Sequence, residues 1–293
     1  PKNDGNIILY VEIILMLLFL TMNGADLWIQ QNAPDYNYIK AGSFPVSQFL
    51  LPLFDGISSN IVFIIERVAW WLHIIGILCF LNYLYYSKHL HIILAFPNTY
   101  FANLNPKGKF SNLESVTNEV KMMLDPNADP FAASTSQEIA KFGASDVFDL
   151  NKVQLLNAYT CTECGRCTSE CPANLTGKKL SPRKIMMDTR DRLEEVGRNI
   201  DLNKGDYKSD GKELLNDYIS KEELWACTSC NACVEACPIG IDPLSIIMDM
   251  RRYLVMEKSD APSELNNMMS NIENNGAPWP FNQMDKLNWK NEL

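Results

Sequence analysis

The sequence predicts an all-α protein: transmembrane helices followed by a cytoplasmic helical domain built around eight cysteines. Three observations carry that expectation. Two long apolar runs fill the first hundred of the 293 residues. The remainder is charged, with helical periodicity and cap residues. Within it, "CTECGRCTSECP" (Cys161–Pro172) and "CTSCNACVEACP" (Cys227–Pro238) repeat one spacing of four thiols closed by a proline.

The balance of 26 Lys and Arg against 35 Asp and Glu leaves a formal net charge of −9. Binding nucleic acid takes surplus basic side chains for phosphate contacts, so no nucleic-acid partner is expected. Nine cysteines, eight of them in two tight clusters, do not read as a disulfide framework, whose thiols are usually spread along the chain. A chain opening on Pro1 reads as the downstream, N-terminally incomplete part of a longer polypeptide.

Residues 1–100 read as a membrane anchor in a lipid bilayer. Ile7–Met22, interrupted by Glu12 and extended by Gly24–Trp28, predicts a first helix over about 7–28, near the roughly 20 residues a span needs. A signal peptide is the competing reading; no small-x-small cleavage site follows, and a second span comes later. That span is predicted over about 62–92. Trp70 and Trp71 at one end and Tyr83, Tyr85 and Tyr86 at the other form aromatic belts. Lys88, Lys107 and Lys109 follow it, so the positive-inside tendency puts everything downstream in the cytoplasm and residues 29–59 outside.

All three histidines, His73, His89 and His91, fall here. On one continuous helix His73 and His91 would be five turns and about 27 Å apart on one face. Such a pair suits axial ligation of b-type haem, with the second ligands supplied from outside this sequence. The alternative is that His89 and His91 end the helix at the headgroups while His73 hydrogen-bonds a neighbouring helix.

Residues 101–148, with "DPNADPFAASTSQ", read as a surface linker. Residues 149–258 read as one helical domain. Ser220–Glu223 is a capping box. Ser181-Pro182 and Asp242-Pro243 are N-cap and first-turn proline pairs. They expose a repeat: "SPRKIMMDTRDRL" from Ser181 aligns without gaps to "DPLSIIMDMRRYL" from Asp242. Its matched Ile, Met and Leu positions have helical spacing and are expected in the core. Residues 259–293 read as a C-terminal helix and a tail whose Trp279, Phe281 and Trp289 either dock a partner or fold back on the core.

Each cysteine cluster reads C-x2-C-x2-C-x3-C-P. Structural zinc uses four ligands, typically as two separated C-x2-C pairs. Here each cluster overshoots one such pair and undershoots two. The spacing is instead that of two-cluster ferredoxins, in which three thiolates of one loop hold one [4Fe–4S] cube and the fourth ligates the other. That predicts Cys161, Cys164, Cys167 and Cys237 on one cube, and Cys227, Cys230, Cys233 and Cys171 on its twin. Cys79, alone in an apolar helix, reads as an inert small hydrophobe. No catalytic constellation stands out, and Glu194-Glu195 reads as a solvated helix face.

On these residues, the span from about 150 to 258 resembles the dicluster subunits of heterodisulfide reductase and anaerobic glycerol-3-phosphate dehydrogenase, built as helical ferredoxin domains. "WWLHIIGILCFLNYLYYSKHLHIILAFPN" is similar to the membrane anchor of respiratory nitrate reductase, its gamma subunit, in which a helix bears two haem-ligating histidines. Together they resemble fused membrane-anchor and dicluster iron–sulfur oxidoreductases of Bacteroidetes-type bacteria. The resemblance implies an electron-transfer subunit in the bacterial inner (plasma) membrane. It would link the quinone pool, menaquinone or another quinone, to a cytoplasmic iron–sulfur subunit with cysteine-rich CCG domains, or to an electron-transfer flavoprotein as a component of its quinone oxidoreductase. The tail "NNGAPWPFNQMDKLNWKNEL" resembles the lead-in to a CCG domain. A reading of a different class is a redox-inactive membrane scaffold pinned by zinc.

Overall fold

The computed structural model describes residues 2–40, 42–106, 108–125 and 141–290, and no strand forms among them. Lys107 and residues 126–140, which hold most of the "DPNADPFAASTSQ" stretch, lie outside the described residues. The chain divides into two units, Pro1–Ile93 and Leu94–Leu293.

In the first unit, α1 (Lys2–Asn32) and α2 (Ser59–Leu84) form an antiparallel hairpin. Both are long and apolar enough to cross a membrane, over Asn3–Asn32 and Ser59–Leu84. Leu9, Ile14, Leu17, Ile64, Leu78 and Leu81 all point outward and are exposed. A hairpin in water would have to hide that surface, whereas hydrocarbon solvates it. Where the helices touch, Gly76 lets them approach: a Cβ there would come within 2.6 Å of Leu15 Cδ2. The loop end is closed by Ala25, Trp28, Ile29, Phe54 and Val62. There Glu66, only 2% exposed, accepts from the Tyr38 hydroxyl at 2.8 Å and pairs with Arg67. That pairing offsets the high cost of a lone charge at such a place.

The second helix stops at Leu84 instead of continuing to about 92. Ser87 Oγ donates to the Leu84 carbonyl and accepts the His89 N–H, each at 3.2 Å. Asp4 accepts the Lys88 N–H at 3.0 Å and the Tyr83 hydroxyl. Side-chain oxygens thus take N–H groups that a continuing helix would give to its own carbonyls, and α3 (Leu90–Tyr100) begins afresh.

In the second unit, α4 (Glu114–Leu124) forms inside the stretch expected as a linker. The repeat follows. Its first copy is α5 (Lys152–Thr160), α6 (Arg166–Ser169), α7 (Pro172–Leu175) and α8 (Pro182–Leu202). A one-turn element, α9 (Leu214–Asp217), is broken at Asn216, φ 78°. The second copy is α10 (Lys221–Ala226), α11 (Ala232–Glu235) and α12 (Pro243–Arg252), the last continuing through a π turn at Tyr253–Glu257. Finally α13 (Ser263–Asn275) ends at Gly276, whose φ of 67° supplies the left-handed cap.

Matching elements pack on each other, α6 against α11 and α8 against α12. Ile185, Met186, Ile246, Ile247, Met250 and Leu254 are buried between them. Ser181 accepts the Lys184 N–H and Asp242 the Ser245 N–H, as their N-cap positions require. The Ser220–Glu223 capping box forms, and a second box, Asn151 with Gln154, starts α5. Trp279, Phe281 and Trp289 are all exposed.

Candidate metal centre

Each cysteine loop begins where a short capped helix stops. α5 delivers Cys161 as its C-cap, and α10 delivers Cys227 likewise. The next turns use the same two left-handed residues in both copies: Glu163 (φ 59°) and Gly165 (φ 86°) in the first, Ser229 (φ 57°) and Asn231 (φ 61°) in the second. Glycine takes this region freely; a side chain there costs about 1–2 kcal/mol. Backbone strain of this kind persists where the surroundings over-determine it, commonly at functional sites. The turn aims the N–H of the third loop residue back at the first sulfur, Ser229 N–H to Cys227 Sγ at 3.4 Å. One turn of helix, α6 or α11, then carries the third thiol, Cys167 or Cys233. Proline follows the fourth, Cys171 or Cys237.

Because α6 faces α11, thiols of the two loops meet. Cys237 stands close enough to Cys161 and Cys167 to interact electrostatically, and Cys171 does so with Cys227. Within loops, Cys164 neighbours Cys167, and both Cys230 and Cys233 neighbour Cys227. None is in a disulfide; Cys171 and Cys233 are buried, while Cys164 and Cys230 are exposed. Burial pushes the Cys161 thiol up to about 11 and Cys233 up to about 12, and it also raises Cys167 and Cys227. Buried thiols of this kind ionise when a cation replaces the proton, so metal loading would release protons. Among the described residues no group of three or more His, Cys, Asp or Glu side chains closes to single-ion spacing. Four thiolates per site are the donor set of a [4Fe–4S] cube. The donor set, all thiols in two facing quartets, fits such cubes. Next to Cys237 lies a cavity of about 360 Å³ bordered by Asn103, Lys109, Asn231, Asp242 and Arg252.

The histidines are placed differently from the expectation of one continuous helix. His73 is on α2, its Nδ1 3.0 Å from the Leu15 carbonyl and its ring against Phe19. His91 is on α3, beyond the break, with Nδ1 on the Lys88 carbonyl. The five-turn register between them is therefore interrupted. His89 Nε2 lies 3.6 Å from Glu12.

Sequence reasoning missed Arg192, which is fully buried in α8. It binds Asp146 at 2.8 Å, Asp210, the Tyr207 hydroxyl at 3.1 Å and the Lys212 carbonyl at 2.7 Å. On the page it is one more charge on an amphipathic helix. The partners that bury it are 15 to 46 residues away.

Residues 160–241 match the 4Fe-4S dicluster domain. The probable iron-sulfur-binding oxidoreductase FadF of Bacillus subtilis is 31% identical over 95% of this chain and 40% of its own length. The EtfAB:quinone oxidoreductase of Syntrophomonas wolfei is 26% identical over 99% of this chain and 41% of its own. One subunit of the ferredoxin/F(420)H(2)-dependent CoB-CoM heterodisulfide reductase of Methanosarcina acetivorans is 32% identical over 39% of this chain and 56% of its own. The chain thus spans about two fifths of the length of the first two relatives. No solved structure gives a significant match.

Proposed function

We propose that this chain, a homologue of iron–sulfur oxidoreductases, is the electron-transfer component of a membrane-bound oxidoreductase and holds two [4Fe–4S] clusters. The observation that carries the reading is the pair of facing loops, alike in thiol spacing and backbone, with Cys237 brought to Cys161 and Cys171 brought to Cys227. That proximity supports crossed ligation: Cys161, Cys164, Cys167 and Cys237 on one cube, Cys227, Cys230, Cys233 and Cys171 on the other. Bound there, the cubes would supply one-electron exchange, and the protein supplies their separation, burial and surrounding charge.

The exposed apolar hairpin supports membrane insertion, and Lys88, Lys107 and Lys109 after the second span support a cysteine domain on the cytoplasmic side of a bacterial inner membrane. A quinone as the membrane-side reactant is supported by the name of the Syntrophomonas relative, and a heterodisulfide-reductase-like or flavoprotein partner by the names of the Methanosarcina and Syntrophomonas relatives. Haem is a finer proposal. A His73 imidazole tied through Nδ1 to Leu15 leaves Nε2 as the atom that would hold a haem iron; His91, on its own helix, would serve a separate site.

Anaerobically purified protein tests the reading. About eight irons with acid-labile sulfide per chain, and visible absorbance bleached by dithionite, are expected from two [4Fe–4S] groups. Colourless protein carrying one or two zinc ions would establish the scaffold reading instead.

A further inference from the structure

The two halves of the centre are near copies with two electrostatic differences: Asp242, its carboxylate taken up by the Ser245 N–H, reaches Cys233 where the first copy has Ser181, and a matched pair of arginines is compensated in one copy only. Arg190 on α8 and Arg251 on α12 occupy the same position of the repeat, each beside the first cysteine of its loop: Arg190 interacts with Cys161, Arg251 with Cys227. Arg190 is neutralised. Its Nη2 donates to Glu163 Oε1 at 2.7 Å and to Asp191 at 3.3 Å. The residue matched to Glu163 in the second loop is Ser229, in the same left-handed conformation. Arg251 therefore meets a hydroxyl, Oγ of Ser229 at 3.4 Å, where Arg190 meets a carboxylate. Its other donors go to backbone carbonyls, Leu224 at 2.6 and 3.0 Å and Cys227. Its guanidinium lies over the Trp225 ring at 5.0 Å. Among the described residues no carboxylate pairs with it. The first loop has one further cation, Arg166, but it is exposed and screened by water and salt.

From this asymmetry we infer that Arg251 sets the order of reduction: an electron entering the domain comes to rest on the cube of the Cys227 loop before that of the Cys161 loop. Gaining one electron adds one negative charge to a cube and makes or breaks no bond. A half-buried cation without a carboxylate partner stabilises that added charge, while a neutralised ion pair does so much less. Arg251 acts here as a positioning charge and touches no substrate.

The inference rests on the two-cube reading, and a potentiometric EPR titration of the loaded full-length chain separates the two. Cys230→Ser, which alters a thiolate of the second loop only, identifies that loop's signal. In the unaltered protein this signal is expected first as the potential falls. Ser229→Glu, which copies the first loop's carboxylate, is expected to lower the reduced-to-oxidised ratio of that cube about tenfold at its former midpoint, equivalent to 59 mV for one electron. Arg251→Gln is expected to act in the same direction. Arg251→Lys, which keeps the charge and loses the forked hydrogen bonds, is expected to restore most of the shift. Glu163→Ser is expected to raise the other cube's midpoint. The inference is overturned if the Cys161-loop cube reduces first. It is also overturned if Arg251→Gln and Arg251→Lys shift the midpoint alike, or if Ser229→Glu leaves it in place with both cubes present. A chain with far fewer than about eight irons overturns the two-cube reading, and the inference with it.

Discussion

Cys171 is buried while Cys164, in the same loop, is exposed, and Cys171 interacts with Cys227 of the facing loop. Cys171→Ser is therefore expected to disturb mainly the cube of the Cys227 loop, read by EPR. Loss confined to the Cys161-loop signal would reject the crossed pairing. Arg192 carries a different kind of weight. Its side chain is 0% exposed and bound to two carboxylates. Arg192→Leu would strand Asp146 and close no cavity, and breaking a buried pair in this way costs about 3–5 kcal/mol. Denaturant unfolding of the loaded protein measures it, and a loss under about 1 kcal/mol would deny the network a structural role. The Arg192 guanidinium also holds the Asp210 carboxyl far below the usual carboxylate range. The sign follows: a lowered folded-state pKa contributes stability above the ordinary value near 3.8 and loses it as pH falls below that. The Arg192 variant should accordingly show a shallower loss of stability in acid.

At the scale of elements, the helices of the cysteine domain were legible because their signals are local. Ser181-Pro182, Asp242-Pro243 and Ser220 with Glu223 announce helix starts within four residues, and each cap forms. The Asn151–Gln154 box had an equally local signal and could have been read. The break between α2 and α3 could not. Beside the local Ser87 hydroxyl it depends on Asp4 reaching Lys88 across 84 residues of sequence, and an apolar run with scattered aromatics looks the same with or without that contact. Burial of Arg192 was hidden for the same reason: its ligands are remote. The histidine pairing inherits this blindness, since shared-face periodicity holds only along one unbroken helix. His73→Ala is expected to remove any haem absorbance while both cubes survive; an unchanged haem spectrum would take His73 out of consideration.

For the whole molecule, charge and apolar surface are segregated along the chain. The exposed Leu and Ile of α1 and α2 form a surface that hydrocarbon would solvate, and most of the charged side chains follow residue 100. The chain is expected to sediment with membranes and resist alkaline carbonate extraction. A protease should reach the region after residue 150 in inverted vesicles and not in intact spheroplasts. Release by carbonate would sink the anchor, and cleavage in spheroplasts would reverse its orientation.

The face-to-face seating of α6 and α11 has one more effect. Since each loop lies against its counterpart within a single packed domain, the gap an electron would jump between the two proposed cubes is set when the chain folds, not when a partner docks. Traffic between two such stations would then need no gate of its own. Any throttle on the current has to sit at the termini of the line, where a donor arrives or an acceptor leaves.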